Sequence, residues 1–338
     1  MKIFIFKIFK LFTILFLLSS IYYVLDNKFS PYYRHHEKLK SFTNSLNLHL
    51  ENYDEELNVH GDLIEILNFK PKNHRKVHWK TDNYGFRNYI FHTDPDIIVL
   101  GDSHFQGFGT TQNLIFSELL QNEINLKVLN LAGAHPNLLF DLINKKIIKK
   151  PKLVILQRGE RVIDDVLGND LSSEIFEINY LKYFSFLNKL YQSINKKYLH
   201  KSIIKDFLSN KKPYDNSMLF LDDYAKDKRS KVDDRTIKDL SFYKSRLDSL
   251  NTNFLFIPIP SKKTIFPHLA NNKNNIKYIK DLYKNLDLLN IDYINLLEVF
   301  NKESKIMYYL DDTHINEFGH KLIQIEASSF ILNMTHSY

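Results

Sequence analysis

The sequence predicts an α/β fold, a three-layer architecture in which a parallel sheet is flanked by helices, with a helical insertion and an N-terminal membrane helix. Three observations lead there. From residue 96 onward, apolar runs of strand length alternate with stretches whose apolar residues recur every three or four positions. Those runs show no in-out alternation, as expected of strands covered on both faces. A basic start followed by an uncharged run opens the chain.

The N-terminal stretch carries Lys2, Lys7 and Lys10 ahead of 15 uncharged residues from Leu11 to Leu25; counted from Ile3, the run is 23 residues. The shorter count suits a signal peptide and the longer one a span of about 20 residues with its lysines reaching the headgroups. No A-x-A-like site follows Ser19 and Ser20, and Tyr22 and Tyr23 suit a membrane interface, so an uncleaved anchor is favoured. The basic start then stays in the cytoplasm, and residues from about 30 lie outside it. Residues 1–27 are thus read as anchor or signal. Residues 28–92 are read as a stalk and a segment leading into the catalytic domain, which occupies 93–335.

The expected strands are DIIVLG (96–101), KVLNLA (127–132), KLVILQ (152–157), NFLFIPI (253–259) and IDYINL (291–296). The expected helices cover 113–124, 137–150 and 274–289, with one more starting near Asn316. The interval from about 160 to 250 holds helix-like stretches without strands and is read as an inserted helical cap. This strand-helix alternation is the pattern of a parallel sheet.

Composition removes several chemistries. With 338 residues, 44% of them hydrophobic, the chain can bury a large core. It has no cysteine, which excludes thiol nucleophiles, cysteine-ligated zinc, iron–sulfur clusters and a lipoprotein anchor. The net charge of +7 arises from scattered lysines, so no nucleic-acid partner is expected. The pair His35-His36 has no third ligand placed to complete a metal site, and neither metal nor cofactor is called for.

Ser103 follows two residues after Gly101, at the carboxyl end of the first sheet strand, where ligands bind in open α/β sheets. A serine there needs a base. YLDDTHINEFGHKLI supplies Asp311 and His314 three apart ahead of a helix, a spacing that lets one turn bring carboxylate to imidazole. Each piece alone also reads as a bend or a capping run, with Asp312 or Thr313 as the cap. Asp102 is read as loop-shaping, and His104 is set aside as base because adjacent side chains on a turn diverge.

The chain resembles the SGNH, or GDSL-like, superfamily of serine esterases and acyltransferases over roughly residues 80–330. GDSH (101–104) is similar to the nucleophile block, DDTHINEFGH (311–320) to the terminal D-x-x-H block, and TDNYGFRN (81–88) to a lead-in of some members. The resemblance implies a flavodoxin-like SGNH hydrolase fold, with Ser103 as nucleophile, His314 as base and Asp311 as its orienting acid. It also implies an oxyanion hole of the Ser103 and Gly133 N–H groups, Gly133 lying in NLAGAHPN. The third block departs: Glu160 and Arg161 stand where Gly-Asn-Asp is usual. This Glu-Arg pair and PIPSKKTIFP (258–267) resemble stretches of alginate O-acetyltransferase relatives. Glu160, Arg161 and His135 are therefore candidates for site support, with a structural ion pair as the alternative for the first two. The expected partners are an acylated carbohydrate or another acyl ester, the membrane, and, for transfer, a membrane protein that donates the acyl group. Location outside the cytoplasm goes with them, and a non-catalytic envelope binding protein is the competing reading.

Overall fold

The computed structural model describes residues 2–29, 49–66, 74–167, 218, 229–267 and 275–335. Helix α1 (Lys2–Phe29) opens the chain. A hairpin follows, β1 (Asp54–Val59) with the short α2 (Asp62–Ile66) and β2 (Arg75–Lys80). The sheet elements are β3 (Ile97–Leu100), α3 (Phe116–Ile124), β4 (Val128–Asn130), α4 (Leu138–Asn144), β5 (Leu153–Gly159), α5 (Asp234–Ser249) and β6 (Asn253–Ile259). They continue with α6 (Lys262–Ile265), α7 (Asn275–Leu288), β7 (Asp292–Tyr293), α8 (Leu296–Lys302) and α9 (Glu317–Thr335).

Five parallel strands lie in the order β4-β3-β5-β6-β7. The apolar runs explain the order. Every residue of β3 and β5 is buried, so these strands take the centre, whereas β7 pairs through only two residues at an edge. Chain order reverses between β3 and β5. The crevice beyond the carboxyl ends of those strands is where ligands of such sheets bind.

Helix α5 falls where the cap was expected. Its buried Leu240, Tyr243 and Leu247 belong to the main core, and the Tyr243 hydroxyl donates to the Pro136 carbonyl at 3.1 Å. It is thus a helix covering the sheet on the β5-to-β6 crossover, because its apolar stripe recurs at three and four and requires an apolar partner. The other helix-like stretch of the expected cap, 174–194, lies outside the described residues, as do His35 and His36.

The described part of 28–92, read as stalk and lead-in, forms a hairpin. Strands β1 and β2 pair antiparallel, and Val59, Val77 and Trp79 form a small apolar cluster with Phe108, a residue of the loop after β3. The hairpin thereby seats against the nucleophile loop, driven by burial of the indole and three apolar side chains.

Helix α1 leaves Phe6, Phe9, Phe12 and Phe16 exposed. Its side chains are described only over residues 6–21, and among the described residues no helix is long and apolar enough to cross a membrane. The expected membrane helix is present there as a helix, but not as a demonstrated span.

Candidate active site

The loop after β3 is built by its own carboxylate. Asp102 Oδ1 accepts from the His104 N–H at 2.9 Å, and Oδ2 accepts from the Gly159 N–H at 2.7 Å. Gln157 Oε1 takes the Asp102 N–H at 3.1 Å. Burial alone would raise Asp102, but His104, the Gly159 amide and Arg158 hold its carboxyl below the ordinary range. Asp102 is thus a staple between the ends of β3 and β5, in agreement with its loop-shaping assignment.

Arg87 of the TDNYGFRN stretch holds the far side of the same loop. Its buried guanidinium donates to the Gln106 carbonyl at 3.1 Å, to the Gly107 carbonyl and to Gln112 Oε1 at 3.0 Å, and its face lies 4.0 Å from the Trp79 ring centre. Gly107 makes the sharp bend that this requires, at φ 75°.

This loop presents Ser103 to His314, with Oγ 2.7 Å from Nε2. The side chain behind the imidazole is Asp312, whose Oδ1 lies 2.6 Å from Nδ1 and also accepts the His314 N–H at 3.1 Å. Burial would raise Asp312, yet His314, Asp62 and Arg75 together hold it well below its ordinary value. An ionised carboxylate only accepts, so Nδ1 carries the proton and Nε2 offers its lone pair to the serine hydroxyl.

The expectation for Asp311 is therefore corrected. Its carboxylate is turned to Arg75 Nη1 at 2.6 Å and to the Gly61 N–H at 2.9 Å. The reason is local: a carboxylate two residues before a histidine can take both that residue's N–H and its ring N–H in one Asx-type turn. From three residues before, Asp311 instead faces the hairpin.

Residues from the N-terminal segment brace this turn. The Asp62 N–H donates to Asp312 Oδ2 at 3.2 Å, while the Asp62 carboxylate accepts the Thr313 N–H and hydroxyl, both at 3.1 Å. Arg75 Nη2 lies 3.7 Å from Asp312 Oδ2, and its guanidinium stacks 4.0 Å from the Tyr309 ring centre. From the opposite side the buried Lys262 ammonium donates to the Asp312 carbonyl at 2.6 Å and the Leu310 carbonyl at 3.3 Å; burial pushes its pKa down to about 8. Asp62, Asp312 and His314 are close enough together to suggest a cation site. The donor set fits poorly, because the Asp312 and Asp62 oxygens and His314 Nδ1 are already engaged with each other and with Thr313.

The expected oxyanion donor Gly133 is also corrected. Its N–H continues the β3–β4 ladder and donates to the Gly101 carbonyl at 2.8 Å. Among the described residues the Ser103 N–H makes no hydrogen bond. His135 accepts the Asn137 N–H at 3.2 Å within its own turn and does not line the cavity beside Ser103.

That cavity lies beyond the ends of β5 and β6 and is lined by Ser103, His104, Gly159, Arg161, Ser261 and His314 among others. Glu160 and Arg161 part company there. Glu160 is buried and accepts from the Ser261 N–H and the Thr264 hydroxyl, both at 2.7 Å, so it ties β5 to the start of α6; burial raises its pKa. Arg161 is exposed at the cavity rim. His320 is buried inside α9, where Nδ1 accepts the Phe116 N–H at 3.2 Å, a structural role.

No protein-family model and no curated protein sequence matches the chain. Solved structures do. The chain resembles GDSL-type lipases and acylhydrolases. It is 15% identical to a lipase/acylhydrolase from Enterococcus faecalis, over 70% of this chain and 94% of that one, at a TM-score of 0.38. It is 13% identical to the psychrotrophic esterase EstA from Pseudoalteromonas sp., over 72% and 100%, also at 0.38. A salicylyl-acyltransferase of a tetracycline biosynthetic pathway, SsfX3, is 16% identical over 72% of this chain and 54% of that one, at 0.36. Likeness at this level carries no chemistry, which rests on the side chains.

Four residues of the site were not singled out in the sequence. Asp62 and Arg75 lie 250 and 237 positions from Asp312, Lys262 lies 50 from it and Gln157 lies 55 from Asp102, so each meets its partner only through the fold. Only Asp312 had a legible signal, the Asp-x-His spacing.

Proposed function

We propose that the chain is a serine ester hydrolase or O-acyltransferase. It acts on acyl esters, acetyl first among them, of a carbohydrate outside the cytoplasm. The observation that carries this reading is the relay Ser103 Oγ, His314, Asp312, with contacts of 2.7 and 2.6 Å at the crevice of the sheet.

Ser103 Oγ attacks the ester carbonyl as His314 Nε2 takes its proton, and the Ser103 N–H donates to the developing oxyanion. His314 returns the proton to the departing alkoxide, leaving an acyl group on Ser103. Water or a sugar hydroxyl then gives up a proton to His314 and attacks the acyl carbon; the bond to Ser103 Oγ breaks, and His314 returns the proton to Oγ. Asp312 stabilises the imidazolium formed in each half. Transfer calls for an acyl donor, for which a membrane protein is the proposed source.

Membrane attachment in this reading rests on the exposed phenylalanines of α1, which favour an apolar surrounding. The extracytoplasmic side rests on the lysines at the start of the chain. The polar contacts proposed for a carbohydrate are Arg161 and Ser261, which line the same cavity as Ser103.

The engaged Gly133 N–H favours a second reading, a binding protein of the envelope that keeps the fold without turnover. A fluorophosphonate probe separates the two. Labelling of Ser103 that is lost in His314→Ala supports the enzyme; absence of labelling in folded protein supports the binding protein. Acetyl content of the surface glycan with and without the protein then distinguishes transfer, which deletion lowers, from hydrolysis, which deletion raises.

A further inference from the structure

The loss of Gly133 as a donor leaves the oxyanion with one N–H, from Ser103, where acyl-transfer sites present at least two. His104 is placed to supply another. Its ring lines the cavity next to Ser103 and meets the His314 ring edge-on, with centroids 5.1 Å apart.

The protonation pattern of that ring is fixed by one contact. The Ile315 N–H donates to His104 Nδ1 at 3.4 Å. A backbone amide can only donate, so Nδ1 carries a lone pair and the ring proton sits on Nε2. Burial lowers the pKa to about 4, with the charges of His314 and Arg161 acting in the same direction and Asp102 opposing them; the imidazole is neutral at pH 7.

The Nε2 edge lies over Gly159, another residue of the cavity wall. A Cβ on Gly159 would sit 3.3 Å from both Cδ2 and Nε2 of His104 and 3.2 Å from Asp102 Oδ2. The glycine therefore gives the ring edge its place in the cavity.

We propose that His104 donates its Nε2–H to the oxyanion formed on the acyl carbonyl, completing with the Ser103 N–H the site that Gly133 does not furnish. This rests on the acyl-enzyme reading above. As the Ser103 Oγ–carbon bond forms, the carbonyl π pair moves onto oxygen, which accepts the His104 hydrogen bond. The serine proton goes to His314 Nε2, and the His104 proton stays where it is throughout.

Two amide variants separate catalysis from anchoring, since glutamine reproduces a donor at Nε2 and asparagine an acceptor at Nδ1. Hydrolysis of 4-nitrophenyl acetate by the full chain is measured for wild type, Ser103→Ala, His104→Ala, His104→Gln and His104→Asn, each checked for folding by thermal melting. The expected result is a fall in kcat of about 10²–10³-fold for alanine and asparagine, with KM nearly unchanged, and a loss of no more than about tenfold for glutamine. Activity kept by asparagine and lost by glutamine would assign the ring to anchoring Ile315 and overturn the proposal, as would all three variants lying within about threefold of wild type. If His104→Ala does not fold, the two amides decide. Wild type without Ser103-dependent turnover overturns the acyl-enzyme reading and this proposal together. Turnover that depends on Ser103 but is indifferent to His104 overturns this proposal alone.

Discussion

The two loops that meet at the site are held by opposite means. The nucleophile loop is stapled mainly from within the sheet, by Asp102, Gln157 and Gly159 at neighbouring strand ends. The loop carrying Asp312 and His314 is braced by Asp62 and Arg75, 250 and 237 positions away in sequence from Asp312. The staples of the first loop sit at the ends of strands that are legible as apolar runs; the braces of the second sit in a hairpin that no such run announces.

The sharpest way to break this comparison is through the two adjacent acids. Ser103→Ala or His314→Ala is expected to reduce kcat for a small acetyl ester by about 10⁶-fold, and Asp312→Asn by about 10⁴-fold. Asp311→Asn, which touches only the brace, is expected to cost about tenfold or less. Equal losses at 311 and 312 in steady-state assays would contradict the geometry.

The hairpin gives the next effect. Trp79→Ala removes a fully buried indole packed on Phe108 and the Arg87 guanidinium, at a cost of about 3–5 kcal/mol of stability, read from denaturant midpoints.

A smaller effect concerns pH. Asp312 has a folded pKa below its ordinary 3.8, so the stability it contributes is present above that value and disappears as pH falls through the folded one. Arg75→Met removes one of the charges that depress it, moving the loss to higher pH. Melting temperatures of the two proteins are expected to lie furthest apart at neutral pH and to draw together as pH falls below about 3.8; a gap that stays constant through the acid range would deny Arg75 this role.

The smallest expected effect is at the rim. Arg161→Ala is expected to change kcat/KM for an acetylated sugar by about tenfold or less and to leave 4-nitrophenyl acetate hydrolysis near the wild-type rate, since the side chain lies off the relay.

The parallel sheet was legible because β3, the first four residues of β5 and β6 after Asn253 are apolar runs with no polar face to confuse the period. Ser103 and His314 were legible for a related reason: both stand at the ends of such elements, within short polar blocks. Asp312 was not chosen, although its place two residues before His314 lets one turn take both the backbone and the ring N–H; Asp311, three before, faces Arg75 instead. Gly133 misled because its N–H has two possible destinies, a substrate oxygen or the Gly101 carbonyl, and only the ladder register reveals which. Within the interval from about 160 to 250 read as a cap, the described helix α5 covers the sheet instead, because Leu240, Tyr243 and Leu247 turn to the main core, a direction its three-and-four spacing does not reveal.

The contact between Asp62 and Asp312 has a temporal meaning as well. A chain growing from its amino end can lay down β3 and β5, and with them a shaped nucleophile turn, long before the base exists. The base lies 211 residues beyond the nucleophile, and its acid must then close a circuit of 250 residues back to the hairpin, a slow step for a polymer. Reactivity toward a phosphonate is thus expected to appear with the last phase of refolding, after native-like circular dichroism has returned.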